Sequence, residues 1–356
     1  MNRNSTPYSQ LKVFYHPEVL QRLLKGERCS PVYIRVKPTN RCNHNCSYCH
    51  YKNAYLDLDG FNPSDEIPRE KMLETVEGMK MLGVKAVTFS GGGEPLLYPY
   101  IEETMEAVLE AGIDLSVITN GSLLNGKKAE LLAKAKWVRI SIESVNDAEY
   151  CTIRGIKEGS FDRLCGNIAN FSAIKEKGCE LGVNVVVNEK NSSEVMEMSR
   201  LMKELGANHV KFAPMVTNDT EAYHEAFKDA VSADLRKAQE EYGSQGFRII
   251  DLYTGDFTDS VIFERQYSRC PLKEFICVIA ANQKVYYCQD KAYLDDGEVG
   301  SIRERSFEEL WNSDATTRLF RAFDARKLCR QHCVHDGRNE LLNSFLEMDR
   351  NHVNFI

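Results

Sequence analysis

The sequence lacks any long apolar run and carries little net charge. Of its 356 residues 43% are hydrophobic, yet no apolar stretch approaches the roughly 18 residues that a membrane-spanning helix needs. Residues 1–15 are polar and contain no signal-peptide core. The net charge of −7 argues against a nucleic-acid partner. We therefore predict a cytoplasmic protein without a membrane or nucleic-acid partner, made of one large domain and one small one.

Cysteine, by contrast, is abundant, with twelve residues in the chain. In a large intracellular protein such thiols indicate metal binding or catalysis more often than disulfides. Cys42, Cys46 and Cys49 follow the strand-like residues 32–37 with the spacing C-x3-C-x2-C. Three thiolates leave one metal position open, which suits an iron–sulfur cluster with one iron that lacks a protein ligand.

Two other interpretations of this loop stay open from the spacing alone. The first is a zinc site with His44 or His50 as the fourth ligand. The second is a set of reduced cysteines without a metal.

A glycine-rich turn follows a second predicted strand. Gly91, Gly92 and Gly93 come after a β-branched run and precede Glu94 and Pro95. The segment has no Lys-Ser/Thr pair, and its carboxylate would repel phosphate, so it is not a phosphate loop. A carboxylate beside exposed backbone amides suits a zwitterionic ligand.

Strand-like and helix-like segments alternate through the first two thirds of the chain. We predict strands at 32–37, 85–89, 114–119, 137–142, 181–187 and 210–214, and helices at 67–82, 100–110, 127–135, 161–177 and 193–205. Right-handed crossovers make such a sheet parallel, so the fold class is α/β with a partial (β/α)6 TIM-like barrel. The active site of such a barrel lies at the carboxyl ends of its strands.

The last quarter of the chain holds a second cysteine set. Cys270 and Cys288 frame a predicted β-hairpin, with strands at 275–280 and 284–287, and a helical stretch at 306–323 leads to Cys329 and Cys333. These four thiolates could hold an iron–sulfur cluster or zinc. Cys277, inside the first hairpin strand, is an alternative ligand.

The first cysteine loop resembles the signature of the radical S-adenosylmethionine (SAM) superfamily, C-x3-C-x-aromatic-C, with Tyr48 as the aromatic residue. The resemblance implies that Cys42, Cys46 and Cys49 hold a [4Fe–4S] cluster whose open iron is chelated by SAM. The glycine turn resembles the GGEP motif of the same family. It implies that Glu94 binds the amino group of SAM, with Gly92, Gly93 and Pro95 forming the turn.

Further cofactor-binding residues follow from the same resemblance. Asn120 closes the third strand, and Ser141 and Glu143 close the fourth. In family members such residues face the SAM ribose or the substrate, and Arg154, which precedes Gly155, corresponds to an arginine that meets the SAM carboxylate.

The second cysteine set resembles the twitch region, the shortened form of the SPASM extension. It implies an auxiliary [4Fe–4S] cluster on Cys270, Cys288, Cys329 and Cys333. The hairpin turn has Gln283 where glycine is usual, and we expect Asn282 to supply the turn. The predicted domains are an N-terminal extension, the radical SAM barrel, a helical connector, the twitch region and a C-terminal helix or tail, at 1–30, 31–215, 216–262, 263–336 and 337–356.

The resemblance implies reductive cleavage of SAM to a 5′-deoxyadenosyl radical that abstracts hydrogen from a substrate C–H, with a flavodoxin- or ferredoxin-type electron donor. We expect oxidation or epimerisation of a polar small molecule such as a sugar or cyclitol, because residues 1–30 are too short for a peptide leader-binding domain. The alternatives are a SPASM-type ribosomal-peptide maturase that relies on a separate recognition protein, and a non-catalytic zinc or iron–sulfur module. An epimerase needs a thiol hydrogen donor, and Cys277 and Cys151 are the candidates among the spare thiols.

Overall fold

The strands form one sheet in a computed structural model that describes residues 8–52, 58, 60–217, 219–255, 265–329 and 333–355. In chain order they are β1 Tyr33–Val36, β2 Ala86–Phe89, β3 Asp114–Thr119, β4 Trp137–Ser141, β5 Glu180–Val187, β6 His209–Pro214, β7 Arg248–Asp251, β8 Ile276–Ile279, β9 Lys284–Tyr286 and β10 Glu298–Ser301. The order across the sheet is β10-β9-β8-β1-β2-β3-β4-β5-β6-β7. In the described residues the sheet is therefore an open barrel, with β10 and β7 at its two ends.

Among the described residues, one helix precedes the first strand, others lie between strands, and the last four follow β10. They are α1 Pro17–Leu24, α2 Arg69–Met81, α3 Ile101–Glu110, α4 Gly126–Leu132, α5 Asp147–Arg154, α6 Ser160–Ile174, α7 Val195–Glu204, α8 Thr220–His224, α9 Lys228–Tyr242, α10 Phe307–Asn312, α11 Asp314–Ala322, α12 Ala325–Leu328 and α13 Asp336–Leu346. None of the helices in the described ranges combines the length and the apolar character that crossing a bilayer requires.

The barrel strands bury one face against the helices and turn the other face inward. Ile34 and Val36 of β1, for example, are fully buried in the main hydrophobic core, whereas the alternating Arg35 is not part of it. Because successive strand residues point to opposite faces, the even-numbered residues of β1 pack outward and the odd-numbered ones line the barrel interior. The interior is thus available for polar side chains.

The predicted α/β fold with its six parallel strands is confirmed, and the structure adds two more parallel strands, β7 beside β6 and β8 beside β1. Strand β7 pairs in parallel with β6, with Lys211 opposite Ile250. It lies in the segment predicted as a helical connector, which also contains α8 and α9. The four residues of β7 are too few for periodicity to reveal a strand. The domain boundaries stay predictions, and the one between 262 and 263 falls outside the described residues.

The C-terminal hairpin does not form a sheet of its own. Strand β8 pairs in parallel with β1, with Tyr33 opposite Ile276 and Val36 opposite Ile279. Strands β9 and β10 continue from β8 as antiparallel neighbours. The auxiliary region therefore extends the barrel sheet along the free edge of β1.

The hairpin turn differs from the expectation that Asn282 would supply its unusual backbone conformation. Gln283 adopts the left-handed conformation, with φ of 62°. Asn282 supports the turn through its side chain instead, since Oδ1 accepts a hydrogen bond from the backbone N–H of Lys284 at 3.2 Å. A residue with a Cβ is strained in the left-handed region, and glycine is not.

Replacing Gln283 by glycine should therefore raise the free energy of unfolding by up to about 1 kcal/mol, since relief of left-handed strain exceeds the added chain entropy. Anaerobic urea unfolding of the reconstituted protein would measure it. The matched control is Gln245→Gly, because Gln245 is exposed and has no positive φ. Equal or greater stabilisation by the control variant would show that Gln283 is not strained.

Candidate active site

The first cysteine loop leaves the end of β1 and packs on the end of α5. The backbone N–H groups of Asn45 and Ser47 donate to the carbonyl oxygens of Arg154 and Ile153, at 2.8 and 3.0 Å. Gly155 ends α5 with φ of 59°, and a Cβ there would lie 2.8 Å from the carbonyl oxygen of Asn45. The cysteine loop therefore packs on Arg154 and Gly155, the Arg-Gly pair noted in the sequence.

The three thiols of the loop lie close to one another. Burial is the main cause that raises the pKa of Cys42 and of Cys46, and a neighbouring thiolate adds to the shift in each case. The backbone N–H of His44 donates to Cys42 Sγ at 3.4 Å. Grouped, partly buried thiols are the donor set that an iron–sulfur cluster requires.

Arg154 connects this loop to the end of β4. Its guanidinium donates to Glu143 Oε2 at 2.7 Å and to the carbonyl oxygen of Ser141 at 2.5 Å. It also lies 3.8 Å from Cys46 Sγ and 5.9 Å from the centre of the Tyr48 ring. The four predicted residues Tyr48, Ser141, Glu143 and Arg154 are therefore brought together at one thiol.

The Arg154–Glu143 pair is almost fully buried, with side-chain exposures of 4% and 1%. Within the described part of the chain, Glu143 Oε1 is buried and accepts no hydrogen bond. The Tyr48 side chain is also hydrogen-bonded to the Glu143 carboxylate, so Tyr48, Glu143 and Arg154 form one buried polar cluster beside Cys46. A direct contact of Arg154 with the SAM carboxylate stays a prediction, since the guanidinium here bonds to Glu143.

Glu94 lies beneath the glycine turn and is 3% exposed. Its carboxylate accepts hydrogen bonds from the backbone N–H of Leu96 and of Asn120 at 3.0 and 2.8 Å, and from Thr119 Oγ1 at 2.6 Å. Burial raises the pKa of Glu94, although these hydrogen bonds oppose the shift. These hydrogen bonds join the turn after β2 to the end of β3. The binding of the SAM amino group by Glu94 stays a prediction.

The glycine turn packs directly on the backbone that leads into the cysteine loop. A Cβ at Gly92 would lie 1.9 Å from Asn40 Oδ1, and one at Gly93 would lie 1.8 Å from the carbonyl oxygen of Arg41. Only glycine fits such a close approach. The Asn120 side chain completes the junction by donating to Asn43 Oδ1 at 2.9 Å. Predicted turn residues Gly92, Gly93 and Pro95 thus hold the two motifs in contact.

The second cysteine set also converges. Burial is the main cause that raises the pKa of Cys270, Cys288, Cys329 and Cys333. Cys270 and Cys329 each raise the pKa of Cys288 further, and Cys288 does the same to Cys333. Because charges act this way only at short range, the four predicted ligands lie near one another.

Topology puts the two sets at opposite ends of the central strands. The first loop follows the carboxyl end of β1, whereas Cys270 precedes the parallel β8 and Cys288 follows the returning β9. Four strand residues span roughly 13 Å. The space between the two thiol sets is therefore the barrel interior beside β1.

Neither candidate hydrogen donor faces this space. Cys277 pairs in register with Ile34, and both pack outward in the main core. Cys151 donates to the carbonyl oxygen of Lys157 at 3.0 Å and packs in the same core. Burial raises the pKa of both thiols. Both are packing thiols in this geometry, and Cys277 points away from the auxiliary cysteines as well.

Sequence reasoning missed three polar residues between the motifs. Lys37 Nζ donates to the carbonyl oxygen of Gly91 at 2.8 Å and to the Tyr51 hydroxyl. Gln289 Nε2 donates to the same hydroxyl at 3.0 Å. These bonds connect the glycine turn to the residue that follows Cys288. Tyr51 and Gln289 both stand beside cysteines of the two sets, but their hydrogen bond joins residues far apart in the chain and no local pattern predicts it.

The geometry does not match a single-ion site. In the described ranges no three His, Cys, Asp or Glu side chains are placed around one metal ion. Zinc–sulfur bonds of about 2.3 Å would bring sulfurs to roughly 4 Å from each other. A cluster of four irons is larger and accepts thiolates that are more widely spaced.

Comparison with known proteins agrees with this chemistry. Residues 36–231 match the radical SAM superfamily, and residues 270–334 match SPASM, an iron–sulfur cluster-binding domain. The chain therefore belongs to the radical SAM superfamily, and it carries a SPASM-type C-terminal region. The matches confirm the predicted cofactors, which are a [4Fe–4S] cluster, an auxiliary iron–sulfur cluster and SAM.

Two curated relatives align with most of the chain. The antilisterial bacteriocin subtilosin biosynthesis protein AlbA of Bacillus subtilis is 26% identical over 310 residues, covering 86% of this chain and 64% of its own length. The chain thus spans less than two thirds of AlbA. The PqqA peptide cyclase of Gluconobacter oxydans is 25% identical over 308 residues, with coverage of 83% and 80%.

Among solved structures, SuiB of Streptococcus suis bound to the precursor peptide SuiA has a similar fold. Its TM-score is 0.62 at 18% identity, covering 90% of this chain and 73% of that one. The likeness supports the open-barrel fold described above.

The prediction of a sugar- or cyclitol-like small-molecule substrate is wrong. Two curated relatives that align with more than four fifths of the chain are named for bacteriocin biosynthesis and for peptide cyclisation, and two others for heme and pre-heme d1 synthesis. None of these four names points to a sugar or a cyclitol. The error came from the short segment before the barrel, which is a poor guide because substrate recognition depends on the site rather than on chain length.

Replacing Cys42, Cys46 and Cys49 together by alanine should remove about half of the iron and abolish SAM cleavage, because each cluster depends on its own thiolates. Iron and sulfide analysis with a 5′-deoxyadenosine assay would measure both. Cys165→Ala is the control, since Cys165 lies on α6 outside both sets. Stoichiometric zinc without sulfide would contradict cluster binding.

Arg154→Met should lower the free energy of unfolding by about 3–5 kcal/mol, because it leaves the Glu143 carboxylate buried without its partner. Adding Glu143→Gln should recover part of the loss in anaerobic urea unfolding. Arg200→Met, at an exposed pair with Glu204, should change stability far less. A loss in the single variant that the double variant does not reduce would mean that the pair is not coupled.

Proposed function

We propose that the protein is a radical SAM peptide maturase that modifies a ribosomally made peptide. The observation that carries the proposal is the alignment with the PqqA peptide cyclase over 83% of this chain, which extends well beyond residues 36–231 of the radical SAM match. The alignment with AlbA over 86% of the chain supports it.

The chain's own residues prepare the site for this chemistry. When bound, the cofactors supply an electron for SAM cleavage, a 5′-deoxyadenosyl radical and a second cluster able to take up an electron. Arg154 and Glu143 hold the cysteine loop against the end of β4, and Glu94 holds the glycine turn against β3. Their burial keeps these polar contacts out of water.

We further propose that the peptide is oxidised rather than epimerised. Epimerisation needs a hydrogen donor on the opposite side of the substrate radical, and the two candidate thiols, Cys277 and Cys151, pack in the core instead. Oxidation needs an electron acceptor, and the convergence of Cys270, Cys288, Cys329 and Cys333 at the other end of β1 and β8 supports one there. An electron donor of the flavodoxin or ferredoxin type is proposed to start the cycle.

The test uses the reconstituted enzyme, dithionite, SAM and synthetic peptides encoded by short reading frames beside the gene. We expect one peptide to lose two hydrogen atoms. One is recovered in 5′-deoxyadenosine, and the other leaves as a proton while its electron passes to the auxiliary cluster. Mass spectrometry of the peptide and of 5′-deoxyadenosine, with deuterated peptide, measures both. Turnover of small molecules but of no peptide would refute the proposal.

Replacing Cys329 and Cys333 by alanine should leave SAM cleavage but remove the oxidised peptide, because the electron acceptor is lost. Cys165→Ala should keep both activities, since that thiol lies on α6. A product with one solvent-derived hydrogen at an inverted carbon would make the enzyme an epimerase and would exclude oxidation.

A further inference from the structure

Three cationic side chains share the inner face of the barrel. Arg35 of β1, Arg139 of β4 and Lys211 of β6 each alternate with residues that pack outward in the core. By the pleat, all three therefore point inward. They come from strands far apart in the sequence, so no motif joins them.

The three cations lie close enough to act on one another. Burial and then the charges of Arg139 and Arg35 hold the pKa of Lys211 well below its usual range. Burial lowers the pKa of Arg139, and the charge of Arg35 contributes to that shift. Arg35 and Arg139 nevertheless keep accessible surface. They therefore line a space inside the barrel and are not packed on every side.

The neighbours of these cations are mostly neutral. Tyr8 lies beneath Lys211, whose Nζ is 4.9 Å from the centre of the ring, and its hydroxyl is 3.1 Å from His209 Nε2. Tyr33 donates to Thr88 Oγ1 at 2.9 Å on the next strand. Tyr8 is also hydrogen-bonded to Arg139, and Tyr33 to Arg35, so neutral phenols are the partners of both guanidinium groups.

Nearby carboxylates do not neutralise the set. Glu180 acts on Tyr8, but it is bonded to His209 Nδ1 at 2.8 Å and to Arg248. Burial opposes the charge of Arg35, but Tyr33, Tyr51 and Asp290 together raise its pKa, so Arg35 is the one member of the set with a partly compensating carboxylate. Asp290 also acts on the buried Lys37. In the described ranges, the charges that act on Arg139 and Lys211 come from cations and tyrosines. Positive charge is therefore in excess around Arg139 and Lys211.

The auxiliary thiolates do not account for this excess either. The auxiliary thiolates interact with cations outside the set. Lys273 acts on Cys270, Lys291 and Arg265 act on Cys329, and Arg338 interacts with Cys333. Arg139 Nε is moreover buried without a hydrogen-bond partner in the described structure. Tyr8 is a neutral hydrogen-bond partner of Arg139, and it does not balance the charge of a buried guanidinium, whereas an anionic ligand would.

The three cations lie beside the predicted SAM site, so the anion that they bind would belong to the substrate. On β4, Arg139 stands two residues before Ser141 on the same face, so the two side chains are separated by roughly 7 Å along the strand. The cations therefore lie in the space between the predicted SAM site and the auxiliary cysteines. A substrate must occupy that space if its hydrogen is to reach the SAM site.

We propose that Arg35, Arg139 and Lys211 form a binding site for a carboxylate of the substrate peptide. The inference rests on the proposed function, because it takes the substrate to be a peptide. Arginine binds a carboxylate through two parallel hydrogen bonds, and lysine adds a point charge. The carboxylate is that of an acidic side chain at or beside the modified residue, or that of the peptide's C-terminus.

The test measures the binding of small probes to the reconstituted enzyme with SAM by anaerobic titration calorimetry. The side-chain probe is N-acetylglutamate N-methylamide, and its neutral isostere is N-acetylglutamine N-methylamide. The C-terminal probe is N-acetylalanine, and inorganic phosphate is the competing anion. We expect a carboxylate probe to bind about tenfold or more tighter than the neutral isostere, as charge-assisted hydrogen bonds do. The preferred carboxylate probe identifies the source.

Variants of Arg139 and Lys211 test whether these side chains cause the preference for a carboxylate. Arg139→Gln and Lys211→Gln should each abolish it, whereas Lys211→Arg should keep it. Lys237→Gln on α9 and Arg318→Gln on α11 are controls at exposed positions. Equal binding of charged and neutral probes by the unaltered enzyme would overturn the proposal, and this measurement needs no variant to fold. Tighter binding of phosphate than of either carboxylate would overturn the assignment to a carboxylate.

The two proposals fail separately. A carboxylate preference without turnover of any peptide would keep the site and remove the peptide maturase function. Turnover of a peptide that has no carboxylate, at the rate of its acidic counterpart, would keep the function and remove the site.

Discussion

Strand β1 is hydrogen-bonded along both edges, and this pairing fixes the positions of the cofactor site and of the auxiliary region relative to each other. On one edge it meets β2, whose end carries the glycine turn, and on the other it meets β8 of the auxiliary region. The first cysteine loop leaves the carboxyl end of β1 itself. Because all three strands are parallel and in register, the auxiliary region has no freedom to move relative to the cofactor site without breaking sheet hydrogen bonds.

The polar residues of the site depend on this frame. Backbone bonds from Gly93 and Glu94 to the carbonyl oxygens of Thr39 and Arg41 are possible only because β1 and β2 end at the same level. Arg154 then reaches the loop from α5 and ties it to Glu143 and β4. The geometry around the thiols is therefore set by three strand ends and one helix end, each with a buried polar contact.

Much of this arrangement could be predicted from the sequence, and the reasons for the exceptions are physical. The cysteine spacing, the glycine turn and the alternation of strands and helices are local patterns, so they predicted the clusters, the SAM site and six strands. The pairing of β8 with β1 joins residues far apart in the chain, and nothing local reveals it. The outward direction of Cys277 follows from that pairing and was equally hidden.

Local sequence patterns also could not predict which polar side chains are buried or which charged groups interact. Glu94 was predicted from its motif, but its bonds to Thr119 and Asn120 depend on how β3 approaches the turn. Arg35, Arg139 and Lys211 each stand at ordinary alternating strand positions, and only the curvature of the sheet brings them to one space. Gln283 shows the opposite case, because it adopts the left-handed conformation at a position where the resemblance led us to expect glycine.

The late position of β8 in the chain has a consequence for how the protein is made. The edge of β1 that receives β8 is completed by residues 276–279, after nearly all of the barrel has been synthesised. Until then β1 presents unpaired backbone groups, which are a template for pairing with other chains. Contacts between segments so distant in sequence also form slowly. Ending the chain after the barrel would therefore leave a permanent open edge, so the auxiliary region protects the barrel from aggregation as well as holding its second cluster.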